Sequence, residues 1–114
     1  MAIYEQRLQG NFDEILGLIE EGVMQGSIPA TLEGGSDYTA GSVRCAVRVF
    51  ERYSMIGGNR VSLNVTLIGQ GDELFLSAIA SGGSQAVFFK INTFGEEAFL
   101  DRVRHIMQNY LSPG

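Results

Sequence analysis

Three short, glycine-containing turns constrain the fold of this chain more than any other feature. They are Gly57-Gly58-Asn59, Gln70-Gly71 and Gly82-Gly83, and each separates two runs of alternating apolar residues. Glycine suits such turns because tight hairpins need positive φ at their central residues. Since side-chain direction alternates along a strand, the length of each turn also decides which residues share a face. The spacing therefore predicts an antiparallel β-meander.

The second and third turns predict registers that agree with each other. A two-residue turn at Gln70-Gly71 places Leu67 opposite Leu74, and a two-residue turn at Gly82-Gly83 places Leu74 opposite Ile91. Both registers follow from turn chemistry alone, yet both collect the apolar residues on one face of the sheet. This agreement between turn type and hydrophobic pattern supports the meander.

The first turn admits two registers for the strand that precedes it. A two-residue turn at Gly57-Gly58 places Arg48 and Arg52 on the apolar face, where an unpaired arginine is costly. We therefore favour a three-residue loop, Gly57 to Asn59. It places these residues on the apolar face: Cys45, Val47, Val49, Tyr53 and Met55. Glu51 then also points inward, and a β-bulge near Tyr53 would relieve this.

Helix signals flank the meander at both ends of the chain. Asn11 is predicted to cap a first helix with Glu14 as its capping-box partner, and Thr93 with Glu96 is predicted to open a second. Each helix carries one apolar stripe at helical spacing. The stripes consist of Phe12, Ile15, Leu16, Ile19 and Val23 in the first helix and Phe99, Val103, Ile106, Met107, Tyr110 and Leu111 in the second.

Alternation and turn signals predict the strands. They are expected over residues 2–9, 28–38, 42–55, 60–68, 72–81 and 85–92. Residues 42–55 also match a helical pattern, but their valines and aromatics favour a strand. Gly34-Gly35 is expected to form a bulge or bend, and Asp37 to Gly41 a turn. The result is one α+β domain over 1–114: an antiparallel β-meander sheet of five or six strands, with an N-terminal and a C-terminal helix packed on one face.

Composition excludes several classes of function. The formal net charge is −5 and the sequence pI is about 4.7, so the basic surface of a nucleic-acid-binding protein is not expected. A single cysteine rules out an internal disulfide and fits a reducing compartment. Neither a signal peptide nor an apolar run of membrane-spanning length is visible. We expect a cytoplasmic protein with no nucleic-acid or membrane partner.

No catalytic constellation is visible in the sequence. His105 follows Asp101 by four residues on the predicted second helix, which would orient an acid–base histidine, but a solvated histidine is the simpler interpretation. Cys45 is expected to point inward as a small hydrophobic residue rather than to act as a nucleophile. One histidine and one cysteine sixty positions apart suggest no metal cluster. We expect a non-enzymatic protein with no cofactor.

The sheet face opposite the apolar one is the surface best suited to a function. It is predicted to carry Arg44, Arg48, Phe50, Arg52, Asn64, Phe75, Ser77, Ile79, Phe88 and Lys90. Exposed aromatic patches mark interaction sites, and arginines and aromatics are enriched in interfaces. We expect a homodimer through this face. The alternative is a binding module for an apolar or lipid-like small molecule, whose anionic end Arg48 or Arg52 would hold.

A set of motifs along the chain resembles a family of small uncharacterised bacterial proteins. They are Val61-x-Leu63-x-Val65-x-Leu67, Ser81-Gly82-Gly83-Ser84, Phe88-Phe89-Lys90-Ile91 and Gly95-Glu96. The resemblance covers nearly the whole chain and implies a bacterial, cytoplasmic protein without a known activity. More loosely, a meander closed by a C-terminal helix is similar to a reduced helix-grip domain, a fold that implies lipid or polyketide binding.

Overall fold

The computed structural model describes residues 1–26, 29–53, 60–82 and 89–111, with the backbone alone over 89–95. The elements are β1 (Ala2–Gln9), α1 (Phe12–Met24), β2 (Thr31–Ala40), β3 (Val43–Tyr53), β4 (Arg60–Gln70), β5 (Glu73–Gly82) and α2 (Phe89–Leu111). The described strands form one antiparallel sheet in the order β1-β5-β4-β3-β2. The α+β class, the meander and the edge strand over 2–9 are confirmed.

The prediction of a sixth strand over residues 85–92 is wrong for the part of this segment that the structure describes. Residues 85–88 lie outside the described part of the chain, and Phe89–Asn92 belong to α2. The edge of β5 is occupied by β1 instead, from Ala2 opposite Ala80 to Gln9 opposite Glu73. The capping box at Thr93 is also wrong, because α2 already begins at Phe89. The buried carboxylate of Glu96 instead accepts a hydrogen bond from the Gly82 N–H at 2.6 Å.

The β4–β5 hairpin keeps the predicted faces although its register differs by two residues. Gln70 pairs with Glu73, so the two turn residues are Gly71 and Asp72, and Leu67 lies opposite Leu76 rather than Leu74. Because side chains alternate with a period of two, a slip of two residues leaves every side chain on its predicted face. Gly71 has a φ of +61°, which explains the glycine at the first turn position.

Replacing Gly71 with alanine should lower the free energy of unfolding by about 1 kcal/mol, since a side chain in the left-handed region is strained. The matched change Gly17→Ala lies in α1 with open space around the added methyl group, and it should raise stability by about 0.5–1 kcal/mol. Urea denaturation of both variants measures the difference. Equal effects of the two changes would contradict the turn geometry.

The β3–β4 register differs from the prediction by an odd number of residues, and this inverts the two faces of β3. Phe50 lies opposite Leu63 and Arg52 opposite Val61. Five residues predicted to point inward therefore point outward, and four predicted to point outward point inward. The first group is Cys45, Val47, Val49, Glu51 and Tyr53, and the second is Arg44, Arg48, Phe50 and Arg52. Met55 and the loop Gly57 to Asn59 lie outside the described residues.

The predicted inward position of Glu51 was a sign that the register predicted from the sequence was wrong. In the structure Glu51 points outward, where its carboxylate lies 2.8 Å from the Arg60 guanidinium. The pairing from Val43 to Tyr53 is continuous, so the predicted bulge near Tyr53 is absent from the described strands. The inward glutamate of the predicted register was therefore a sign of a slipped pairing rather than of a bulge.

Strand β2 forms the second edge of the described sheet and is irregular, as predicted. The register shifts between Leu32 and Gly34, which confirms an irregularity at the glycine pair. The predicted turn from Asp37 to Gly41 is wrong, because the strand continues to Ala40. The chain then turns at Gly41, which has a φ of +60°.

The buried residues of the described chain form one hydrophobic cluster. Asn11 caps α1 as predicted, since its Oδ1 accepts a hydrogen bond from the Glu14 N–H at 2.9 Å. From the sheet, the cluster takes alternate residues on what we call the inner face: Ala2, Leu8, Ala46, Phe50, Val61, Leu63, Val65, Leu67, Leu74, Leu76, Ala78 and Ala80. From the helices it takes Phe12, Ile15, Ile19, Val23, Phe99, Leu100, Val103 and Met107.

Candidate functional site

The opposite side of the sheet, here called the outer face, exposes apolar side chains. It includes Ile3, Glu5, Arg7, Tyr38, Val43, Cys45, Val47, Val49, Glu51, Tyr53, Asn64, Thr66, Ile68, Glu73, Phe75, Ser77 and Ile79. Ile3 and Tyr38 are 55% and 71% exposed, and Ile68 is 40% exposed. Soluble monomers rarely expose a contiguous apolar patch of this kind without a use for it.

One row of the outer face crosses all five described strands without a break. Tyr38 lies opposite Cys45, Cys45 opposite Ile68, Ile68 opposite Phe75, and Phe75 opposite Arg7. Directly opposite side chains on neighbouring strands are close enough to touch. The row therefore forms an apolar band that ends on a cation at the β1 edge.

The structure places the predicted site residues on three different surfaces. Asn64, Phe75, Ser77 and Ile79 lie on the outer face as predicted. The placement of Arg44, Arg48, Phe50 and Arg52 there is wrong, because all four lie on the side of β3 that faces the core. Lys90 lies in α2 rather than on a strand, and Phe88 lies outside the described residues.

Two of the inward arginines are held by carboxylates of α1. The Arg44 guanidinium contacts Asp13 at 2.9 Å and lies 4.1 Å above the Phe12 ring. Hydrogen bonding from Arg44 lowers the pKa of the Asp13 carboxyl. Arg48 donates from Nε to Glu20 at 2.7 Å and from an Nη atom to Asp37 of β2 at 3.0 Å, so it joins the helix to the edge strand.

The third arginine is stabilised by an aromatic ring of α2. Arg52 is buried, with its guanidinium 4.3 Å from the centre of the Phe99 ring. Burial lowers the pKa of Arg52, since desolvation disfavours the charged form. A cation over an aromatic face is attracted by the ring quadrupole, which partly offsets that cost. Burying an arginine without a partner remains costly. The helices supply partners for these arginines, and the pattern of the strand alone does not show them.

The outer face also contains a cavity of about 520 Å³ at the end of the sheet near the β4–β5 turn. Val43, Ile68 and Phe75 provide apolar wall, while Arg7 and Glu73 provide the charged groups. Leu8, Gln9, Gln70 and Leu74 complete the lining. The volume lies within the range of small-molecule sites in proteins.

The candidate catalytic residues are not brought together. His105 is exposed and its Nε2 lies 3.4 Å from the Asn109 side-chain nitrogen, while Asp101 pairs with Arg104 at 2.6 Å. Cys45 is half-buried on the outer face between Tyr38 and Ile68, so its predicted inward position is wrong. Among the described residues, no group of three or more His, Cys, Asp or Glu side chains could hold a metal ion.

Comparison with known proteins places the chain in a family but assigns no activity. The Family of unknown function (DUF6054) matches residues 1–111, which confirms the resemblance to uncharacterised proteins. No curated protein and no solved structure matches the chain. The looser similarity to helix-grip domains is not confirmed, and the bacterial source and cytoplasmic location stay predictions. Within the described residues, neither helix combines the length and the apolar character that crossing a membrane requires.

Proposed function

The chain belongs to this family of unknown function, and we propose from its geometry that it is a non-enzymatic domain that forms a homodimer through the outer face. The observation that carries the proposal is the orientation of β3. This strand turns its arginines toward the helices and its valines Val43, Val47 and Val49 toward the outside. A strand with a permanently solvated outer side would be expected to have the opposite arrangement.

The packing of the helices supports the same conclusion. Buried residues of α1 and α2 share one cluster with the inner face, so we propose that both helices pack over that face and leave the outer face open. Burying a valine or phenylalanine side chain contributes about 1.5–3 kcal/mol. Covering the exposed apolar side chains of the outer face with a second sheet would therefore favour association.

The charges around the patch fit a self-complementary interface. Glu51 and Arg60 pair at one end of the strands, Glu73 lies at the other end, and Glu5 and Arg7 lie at the β1 edge. Interfaces commonly have such a polar rim around an apolar centre. A two-fold axis through the outer face would bring the same patch of both copies together, as isologous dimers require. Two sheets packed in this way lie about 10 Å apart.

Size-exclusion chromatography with light scattering tests the proposal directly. We expect a dimer at micromolar concentration and a monomer for Phe75→Glu, because covering the new carboxylate with a second sheet would desolvate it together with Arg7, which lies opposite. Leu18→Glu is the matched control, since Leu18 is an exposed leucine of α1, and this variant should remain dimeric. Circular dichroism of each variant verifies that the fold is intact.

A clean monomer of the unchanged protein at high micromolar concentration would overturn the proposal. So would equal molecular masses for Phe75→Glu and the unchanged protein when both are folded. Cys45 gives an independent measurement, because it lies on the apolar band and is the one cysteine of the sequence. Its reaction with a maleimide should slow as the protein concentration rises through the dimerisation range.

A further inference from the structure

We propose that the cavity at the end of the outer face binds a small amphipathic monoanion, with the anionic group on Arg7 and the apolar body along Val43, Ile68 and Phe75. The site differs from the sequence-based expectation, which placed the anion on Arg48 or Arg52. Arg48 is already engaged by Glu20 and Asp37, and Arg52 is buried against Phe99.

Arg7 differs from the other strand arginines in its surroundings. Arg44, Arg48 and Arg60 each have a carboxylate within ion-pair distance, and Arg52 lies over an aromatic ring. Across the described part of the chain, no carboxylate lies within 4.0 Å of the Arg7 guanidinium. A planar guanidinium with free donors is suited to bidentate contact with a carboxylate, sulfonate or phosphate oxygen pair.

The register places apolar surface directly beside this cation. Phe75 lies opposite Arg7, and Ile68 lies opposite Phe75 on the next strand, so the apolar wall begins at the guanidinium and continues away from it. A cavity of about 520 Å³ holds a ligand of modest size. This juxtaposition of one cation with an apolar wall selects a molecule that has a single charged end.

Glu73 limits the charge of the ligand. It lies on the same face as Arg7, one strand over and displaced by two residues, and it lines the same cavity without an ion pair to Arg7 among the described residues. A second anionic group on the ligand would approach this carboxylate and be repelled. The cavity therefore suits a monoanion better than a dianion, and neutralising Glu73 should strengthen anion binding.

Octanoate and 1-octanol form a matched pair of probes, since they share an aliphatic chain and differ in charge. We expect amide chemical shift changes with octanoate to centre on β1, β4 and β5 around Arg7, Ile68 and Phe75. Arg7→Gln should weaken octanoate binding by about five-fold or more, because a charge-assisted hydrogen bond is lost. Binding of 1-octanol should not change. Glu73→Gln should tighten octanoate binding about two-fold.

Arg104→Gln is the control variant, because it removes the same charge from α2, where Arg104 pairs with Glu97 and Asp101. It should leave octanoate binding unchanged. Equal affinity for octanoate and 1-octanol, no binding of either, equal losses in the two arginine variants, or shift changes centred on the helices would each overturn the site. Val43, Ile68 and Phe75 line the cavity and also belong to the proposed dimer interface. Light scattering on the same samples, with and without octanoate, therefore separates the proposals: a monomer that binds octanoate through Arg7 contradicts only the dimer, and a dimer that does not bind it contradicts only this site.

Discussion

Replacing Phe50 with alanine is expected to lower the free energy of unfolding by about 3–5 kcal/mol, the range for a large aromatic side chain lost from a packed core. Phe50 is fully buried and lies opposite Leu63 on the inner face. A domain of this size has a total stability of about 5–15 kcal/mol. The variant should therefore show a much lower midpoint in urea at an unchanged slope, provided that unfolding remains two-state.

Val49→Ala is the matched control for this prediction, because Val49 is the neighbour of Phe50 on the other face of β3. It is half-buried, so its truncation should cost about 1 kcal/mol or less. The sequence-derived register exchanges these positions, with Val49 in the core and Phe50 at the surface. Comparable losses for the two variants, or a larger loss for Val49→Ala, would contradict the register seen in the structure.

The β4–β5 hairpin shows what local chemistry determines. Alternation from Val61 to Leu67 and from Leu74 to Ala80 marks the buried side of both strands, and the glycine at position 71 marks the turn. The predicted register was two residues away from the observed one, yet each face was correct. For a hairpin between two strongly alternating strands, a register that is wrong by an even number of residues still gives the correct faces. Only a shift by an odd number of residues would move apolar side chains into water.

Strand β3 shows where local reasoning fails. Its two faces are both partly apolar, so alternation does not distinguish them, and the choice depended on whether arginine can point inward. The answer lies in α1, which is distant in the sequence. Asp13 and Glu20 are seven residues apart on that helix, about 10 Å, and Arg44 and Arg48 are four residues apart on a strand, about 13 Å. These similar spans are a signal in the sequence that could have indicated the pairing.

The strand predicted over 85–92 failed for a different reason. The outer edge of β5 can accept only one partner, and both the residues after Gly82 and the N-terminal segment 2–9 were suitable candidates. The local hydrophobic pattern does not decide which of the two segments pairs with the edge of β5, because that choice depends on the path of the whole chain. With β1 in that position, α1 connects one edge of the described sheet to the other edge, where β2 lies.

The prediction for Arg48 tests whether the inward arginines stabilise the fold. Arg48→Ala is expected to lower the free energy of unfolding by about 2 kcal/mol, because it leaves two carboxylates, Glu20 and Asp37, without their partner. The Arg48 side chain is 12% exposed and Glu20 is 28% exposed, so the loss should lie between those of exposed and fully buried pairs. Urea denaturation measures it.

Arg44→Ala is the control, since Arg44 and Asp13 form an ion pair of the same type between α1 and β3 but at an exposed position. Its effect should be much smaller and should decrease further with added salt, because solvent screens exposed charges. A double-mutant cycle of Arg48→Ala with Glu20→Ala should give a coupling of about 1–2 kcal/mol between the two side chains. A loss for Arg48→Ala no larger than that for Arg44→Ala, together with zero coupling to Glu20, would mean that the inward arginines are tolerated rather than required. In that case the outward valines of β3, rather than the ion pairs, would determine the orientation of the strand.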